Sequence, residues 1–248
     1  MSGDAPLAVH GLTVAYGRRV ALEDVTFETP PGALVGVIGP NGAGKSTLFK
    51  AILGVLRPTA GDVRLAERPS YVPQSDEARL DFPVTALDVA LMGRYRSVPW
   101  WRPLPRAARR AARSALAQVG LEDLADRGIG ELSGGQLQRV LLARALAQDS
   151  PIMLLDEPLS AVDAASQAAI AEVLRRRRAA GDTILLASHD LASMSALCDR
   201  VLVLNRRLLV DGPPETALAA TTLLAAYGPG ALHPVLGPPA PAGSTSAT

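Results

Sequence analysis

The sequence predicts an α/β fold: a core of mixed and parallel sheet, an antiparallel β subdomain before it, and an α-helical subdomain inserted into it. Three observations carry this. Short apolar runs, ALVGVIG (33–39), PIMLLDEP (151–158) and DTILLASHD (182–190), stand between helical stretches, the pattern of strands buried on both faces. Two alternating segments, LAVHGLTVAY (7–16) and VALEDVTFE (20–28), precede them and read as an antiparallel hairpin region. Between about 76 and 148, Ala- and Arg-rich stretches with helical spacing replace the strand signals.

Along the chain, KSTLFKAILGVL (45–56) has Leu48, Ile52 and Val55 at helical spacing and is closed by Pro58. DVRLA and PSYVPQ read as short strands or loop. VTALDVALMGR (84–94) and RAARRAARSALAQVG (106–120) are the helices of the insertion. An Ala-rich helix follows PIMLLDEP, and VLVLNRRLLVDG (201–212) reads as a late hairpin. No internal repeat is present. The predicted domain is 1–227, with 228–248 a Pro-, Gly- and Ser-rich tail expected to be disordered.

Composition narrows the function. The 25 basic residues nearly cancel the 24 acidic ones, leaving +1, so no general pull on nucleic acid or anionic lipid is expected. Cys198 is the single cysteine, which excludes an intrachain disulfide and fits a reducing compartment. No stretch approaches the roughly 18 to 20 apolar residues of a membrane helix, and the N-terminus lacks a signal-peptide pattern. A soluble, cytoplasmic chain that reaches a membrane through a partner is expected. His10, His189 and His233 are too scattered for a metal site. RPLPRAARRAAR (102–113) reads as a solvated helix face. RRRR (175–178) reads as a helix end whose cations complement the dipole. Trp100 and Trp101 fit an interaction patch and packing equally well.

GPNGAGKST (39–47) carries the chemistry. Gly39 and Gly44 bracket Pro40, Asn41, Gly42 and Ala43 ahead of Lys45, Ser46 and Thr47, between a strand and a helix. Glycines let backbone N–H groups curl around β- and γ-phosphates, the lysine adds a point charge, and the serine hydroxyl can ligate Mg²⁺. IMLLDE (152–157) ends a buried strand in Asp156, a candidate for the magnesium shell, and Glu157, which can polarise an attacking water. His189 ends another strand, where α/β sheets bind ligands. Taken alone, His189, Gln74 and Tyr16 are as well explained as structural residues. ELSGGQLQRV (131–140) presents a second helix start suited to an anion, with Ser133 as cap and Gly134, Gly135 and Gln136 behind it.

The ordered set GPNGAGKST, YVPQ, LSGGQ, IMLLDE, SAVD (160–163) and SHD around His189 resembles the ATP-binding subunits of ABC transporters. The resemblance covers the chain to about Gly212, and it implies a P-loop ATPase core. It implies that Tyr16 stacks on adenine, that Lys45, Ser46 and Thr47 hold phosphates and metal, and that Gln74 senses Mg²⁺ and the partner. Glu157 would be the catalytic carboxylate and His189 a γ-phosphate contact. Ser133, Gly134, Gly135 and Gln136 would meet the ATP held by a second copy of the chain, so that two copies complete two sites, and Asp163 would belong to the nucleotide-binding set. Leu137 replaces the usual glutamine and, from its spacing with Val140 and Leu141, is expected to bury.

DFPVTALDVALMGRY (81–95), LADRGIGELSGGQLQRVLLARALAQ and CDRVLVLNRRLLVDGPPE are similar to a narrower group, the ATPases of manganese, zinc and iron uptake. That similarity implies membrane permease subunits as partners, docked in a groove between about Gln74 and Arg94. It also implies an extracytoplasmic binding protein reached indirectly, and no nucleic acid. A siderophore or haem importer and a soluble scaffold such as those of iron–sulfur assembly are the alternatives.

Overall fold

A computed structural model describes residues 5–74, 83–95, 101–160 and 162–228. A three-stranded antiparallel sheet, order β2-β1-β4, is formed by β1 (Leu7–Tyr16), β2 (Arg19–Thr29) and β4 (Ala60–Leu65). A six-stranded sheet has the order β5-β6-β7-β3-β8-β9. Its members are β3 (Leu34–Ile38), β5 (Ser70–Val72), β6 (Ile152–Asp156), β7 (Thr183–Ala187), β8 (Arg200–Asn205) and β9 (Arg207–Gly212). All neighbours in it are parallel except β8 and β9, the expected late hairpin.

The continuous apolar runs have a direct cause. Successive strand residues point to opposite faces, and both faces of this sheet are covered. Leu34 and Ile38 of β3 enter one core with the helices α4 (Gly134–Gln148) and α5 (Ala164–Ala179). Val35 and Val37 enter the other, with Leu7, Val9 and Phe27 of the small sheet and Leu48 and Phe49 of α1 (Lys45–Ile52). The hairpin strands β1 and β2 cover only one face and so alternate, Leu7 facing Thr29 and Val9 facing Phe27.

The insertion is helical as expected. It comprises α2 (Ala86–Met92) and α3 (Arg106–Gln118), which pack with α4 into the first core. Thr85 and Asp88 form a reciprocal capping box at the start of α2. On α3, Ala108, Ala112, Ala115 and Leu116 are buried, while Arg106, Arg109 and Arg110 are exposed. The solvated reading of that basic run therefore holds. The 175–178 run ends α5, and its arginines find acids: Arg175 and Arg176 approach Glu172, Arg177 pairs with Asp182 and Arg178 with Asp199. Trp101 is exposed, whereas Trp100 and most of the 228–248 tail lie outside the described residues. DVRLA and PSYVPQ resolve as β4 and β5.

Beyond α6 (Leu191–Leu197) and the late hairpin, α7 (Pro214–Ala217) and α8 (Ala220–Tyr227) were not foreseen. The available signal was Pro214 in the first turn, where a missing N–H costs nothing. Asn205 Nδ2, at the end of β8, donates to the Ala226 carbonyl at 3.0 Å and ties α8 to the central sheet.

Candidate functional site

Because β5, β6, β7 and β3 are adjacent and parallel, their C-terminal ends open on one edge of the sheet. That edge receives Gln74 after β5, Asp156 and Glu157 at the end of β6, His189 after β7, and the 39–47 loop after β3. All of them except Gly39 line one cavity of about 750 Å³, which Tyr16 at the end of β1 also borders. Five segments separated by up to 173 residues therefore converge as the sequence requires.

The loop is shaped by its glycines. A Cβ at Gly39 would stand 2.0 Å from the Leu204 carbonyl, so only glycine lets the chain leave β3 this close to β8. Gly44 caps α1 with φ +103°, and a side chain there would strike Leu22 at 2.4 Å. The α1 start carries no acidic residue in its first turn, and residues 44–47 line the cavity, a setting for an anion. Lys45 Nζ donates to the Gly39 carbonyl at 2.7 Å. Burial holds its ammonium below the ordinary lysine value, and the Glu157 and Asp156 carboxylates oppose that shift.

Asp156 is buried at 3% exposure. Glu157 is held in the left-handed region at φ +52°, a conformation that costs a non-glycine residue energy and clusters at working sites. The Glu157 amide donates to the Ala187 carbonyl at 3.0 Å, and the Ser160 hydroxyl donates to the Glu157 carbonyl at 2.8 Å. The bent backbone turns its carboxylate toward His189, whose Nδ1 lies 2.8 Å from Glu157 Oε2. A carboxylate oriented by an imidazole at the mouth of a phosphate cavity is placed to direct a water at a γ-phosphate. The Ser46 hydroxyl, the Asp156 carboxylate and the Gln74 amide are oxygen donors, the set that suits a hard cation such as Mg²⁺.

The second helix start is built differently. Ser133 caps α4: its hydroxyl accepts from the Gln136 amide at 3.2 Å, and the Gln136 side chain accepts from the Ser133 amide at 2.9 Å. Ser133 and Gly134 are exposed, and none of 133–136 lines the cavity. Gly135 is buried because a Cβ would meet Ser166 Oγ at 2.4 Å and Asp163 Oδ2 at 2.6 Å. Asp163 in turn caps α5 by accepting from Ser166, and that bonding lowers the pKa of its carboxyl. The starts of α4 and α5 thus abut, and Leu137 packs partly buried against the core, as expected.

Sequence reasoning missed two arginines of the cavity wall, Arg19 and Arg206. Arg206 sits in the β8–β9 turn at φ +58°, and its amide donates to the Ala43 carbonyl at 2.8 Å, clamping the phosphate loop from outside. The NRR turn was visible, but nothing local to it shows that it lies over residue 43.

A parallel sheet with a glycine-rich loop entering a helix, a buried strand-end aspartate and a carboxylate in contact with a histidine defines a nucleotide-hydrolysing P-loop protein. Residues 22–160 match the ABC transporter family model, more than half of the chain, and the chain belongs to that family. It is similar to the manganese transport system ATP-binding protein MntB of Listeria monocytogenes, 40% identical across 90% of this chain and 96% of that one. With the zinc transport system ATP-binding protein TroB of Treponema pallidum it shares 45% identity over 89% of this chain and 86% of that one. A metal-chelate type ABC transporter in an inward-facing conformation superposes with a TM-score of 0.83 at 29% identity, covering 90% and 89% of the two chains. A bacterial ABC transporter cassette solved as a dimer gives 0.74 at 26% identity, covering 84% and 98%. The protein is therefore an ATP-binding ATPase subunit of the ABC transporter family. Among the described residues no helix is long and apolar enough to cross a membrane.

Proposed function

We propose that the chain powers uptake of a divalent metal ion, manganese, zinc or iron, by hydrolysing Mg²⁺–ATP between two copies of itself. The observation that carries the hydrolytic half is the Glu157–His189 pair at the mouth of the phosphate cavity. In this reading Tyr16 stacks on adenine, and the amides of 39–47 with Lys45 and Thr47 hold the phosphates. Ser46, Asp156 and Gln74 hold Mg²⁺, whose charge would offset that building on the transferred phosphoryl oxygens. Glu157 orients and deprotonates the water, and His189 fixes that carboxylate and faces the γ-phosphate. Ser133, Gly134, Gly135, Gln136 and Asp163 close on the ATP of the opposite copy.

The metal reading rests on the relatives, which are manganese and zinc transport ATPases. Among the described residues, no group of three His, Cys, Asp or Glu side chains could hold a metal ion. Cargo choice falls to the permease and an extracytoplasmic binding protein, with the ATPase peripheral on the inner membrane face. One experiment tests this. A strain lacking its own manganese, zinc and iron importers is given this chain with its permease and binding protein, and uptake of each metal is followed. Uptake of one of them, lost with Glu157→Gln, is expected. ATPase activity without uptake of any of the three overturns the metal reading.

A further inference from the structure

The Tyr16 end of the cavity holds a cation that the proposed mechanism does not use. Tyr16 and Arg19 stand directly opposite each other where β1 turns into β2, joined through Gly17 at φ +59° and Arg18. Residues opposite each other in an antiparallel pair project from the same face, with Cβ atoms about 4.5–5.5 Å apart. Both residues border the cavity and both are exposed. An arginine side chain so placed is long enough to reach the rim of a flat ring stacked on the tyrosine. Among the described residues Arg19 has no ion pair, and Glu23, an acid of the same strand, is taken by Arg207. The acids of the cavity wall are Asp156 and Glu157, at the phosphate end.

A guanidinium only donates, through a planar fork whose charge does not titrate in proteins. The edge of a purine decides how many of those donors find an acceptor. A 6-oxopurine presents two neighbouring acceptors, O6 and N7, which the fork takes together; adenine presents N7 beside an amino group that itself donates. We propose that Arg19 is a base-specificity residue, its guanidinium taking the O6–N7 edge of a 6-oxopurine stacked on Tyr16, so that the site accepts GTP as well as ATP. Adenine keeps the stack and a single bond to N7, and the triphosphate is held alike in either nucleotide. The substrate class is then purine nucleoside triphosphates. The proposal rests on reading the cavity as a nucleotide site with its base on Tyr16.

Calorimetric binding of Mg²⁺–ATP, Mg²⁺–GTP and Mg²⁺–ITP to the full chain tests it, ITP being a 6-oxopurine without the 2-amino group of guanine. The wild-type chain should bind GTP and ITP within about tenfold of ATP. Arg19→Ala should weaken GTP and ITP by about tenfold and ATP by no more than about twofold. Arg19→Lys, which keeps the charge and loses the fork, should resemble the alanine variant. An equal loss for all three nucleotides would place Arg19 on ribose or phosphate, and a lysine that holds GTP as well as arginine would reduce it to charge attraction. Either result overturns the proposal, as do unaltered affinities, or wild-type GTP and ITP binding weaker than the stated range. A wild-type chain that binds none of the three removes the nucleotide site itself, and unchanged ATP affinity in Tyr16→Ala removes the stack on which the role of Arg19 depends.

Discussion

Two helix starts in this molecule share one chemistry and differ in their surroundings. At α1 the first turn borders a cavity walled by the chain itself: Lys45, Asp156, Glu157, Gln74 and His189 all converge there. At α4 the start is capped by its own Ser133 and Gln136, and its outer face, Ser133 and Gly134, meets only solvent. The first has a charge partner for a phosphate, a carboxylate for a water and oxygen donors for a cation. The second has N–H groups and a hydroxyl, with the Gln136 side chain and the Asp163–Ser166 cap of α5 as its neighbours in the chain. A helix start of this kind is an electrostatic complement to a charge supplied from outside. In the proposed function one polypeptide carries a receptor and a lid that do not meet each other, since residues 133–136 do not line the cavity.

The comparison can be broken most severely at the receptor. Lys45→Ala removes the only cation of the 39–47 loop, and nucleotide binding should be largely abolished; titration showing wild-type affinity would end the assignment. Glu157→Gln should keep ATP bound while hydrolysis falls by about 10²- to 10⁴-fold, and ATP-loaded dimer should accumulate in size-exclusion chromatography. Unchanged turnover would remove Glu157 from its role. Ser133→Arg probes the lid. Turnover should be lost while binding of ATP to dilute, single subunits stays close to wild type. A parallel loss of binding would mean that α4 serves its own chain's nucleotide.

The smallest effect sharpens the fold rather than the site. Asp88 completes the α2 cap, and its pKa is lowered by bonds from the Thr85 amide and hydroxyl. Asp88→Asn should cost about 1 kcal/mol by thermal unfolding near neutral pH. A depressed carboxyl adds stability above its unfolded pKa and loses it as pH falls through its folded value. The gap between wild type and variant should therefore close in acid, and a gap independent of pH would contradict the assignment.

How much of this was legible follows from how local each cause is. The phosphate loop, the Asp156–Glu157 strand end and the capped start at Ser133 are each written in a handful of adjacent residues, because glycine, a capping hydroxyl and a run of β-branched or leucine residues act on the backbone beside them. The doubly buried strand β3 was readable for the same reason: LVGVI has no polar face to show. Its neighbours were not. That Arg206 lies over Ala43 depends on the strand order that brings β8 beside β3. Nothing in NRR encodes that order. Gly135 was legible as part of a phosphate-facing start. Its contact with Ser166 and Asp163 was hidden, since the close approach of two helices belongs to their packing and not to either segment.

That contact has a mechanical meaning. With no space for even a methyl group between Gly135 and the Asp163–Ser166 turn, the front ends of α4 and α5 form one solid wedge, and close-packed atoms pass displacement on without yielding. A push delivered to the far end of either rod must arrive at both tips together.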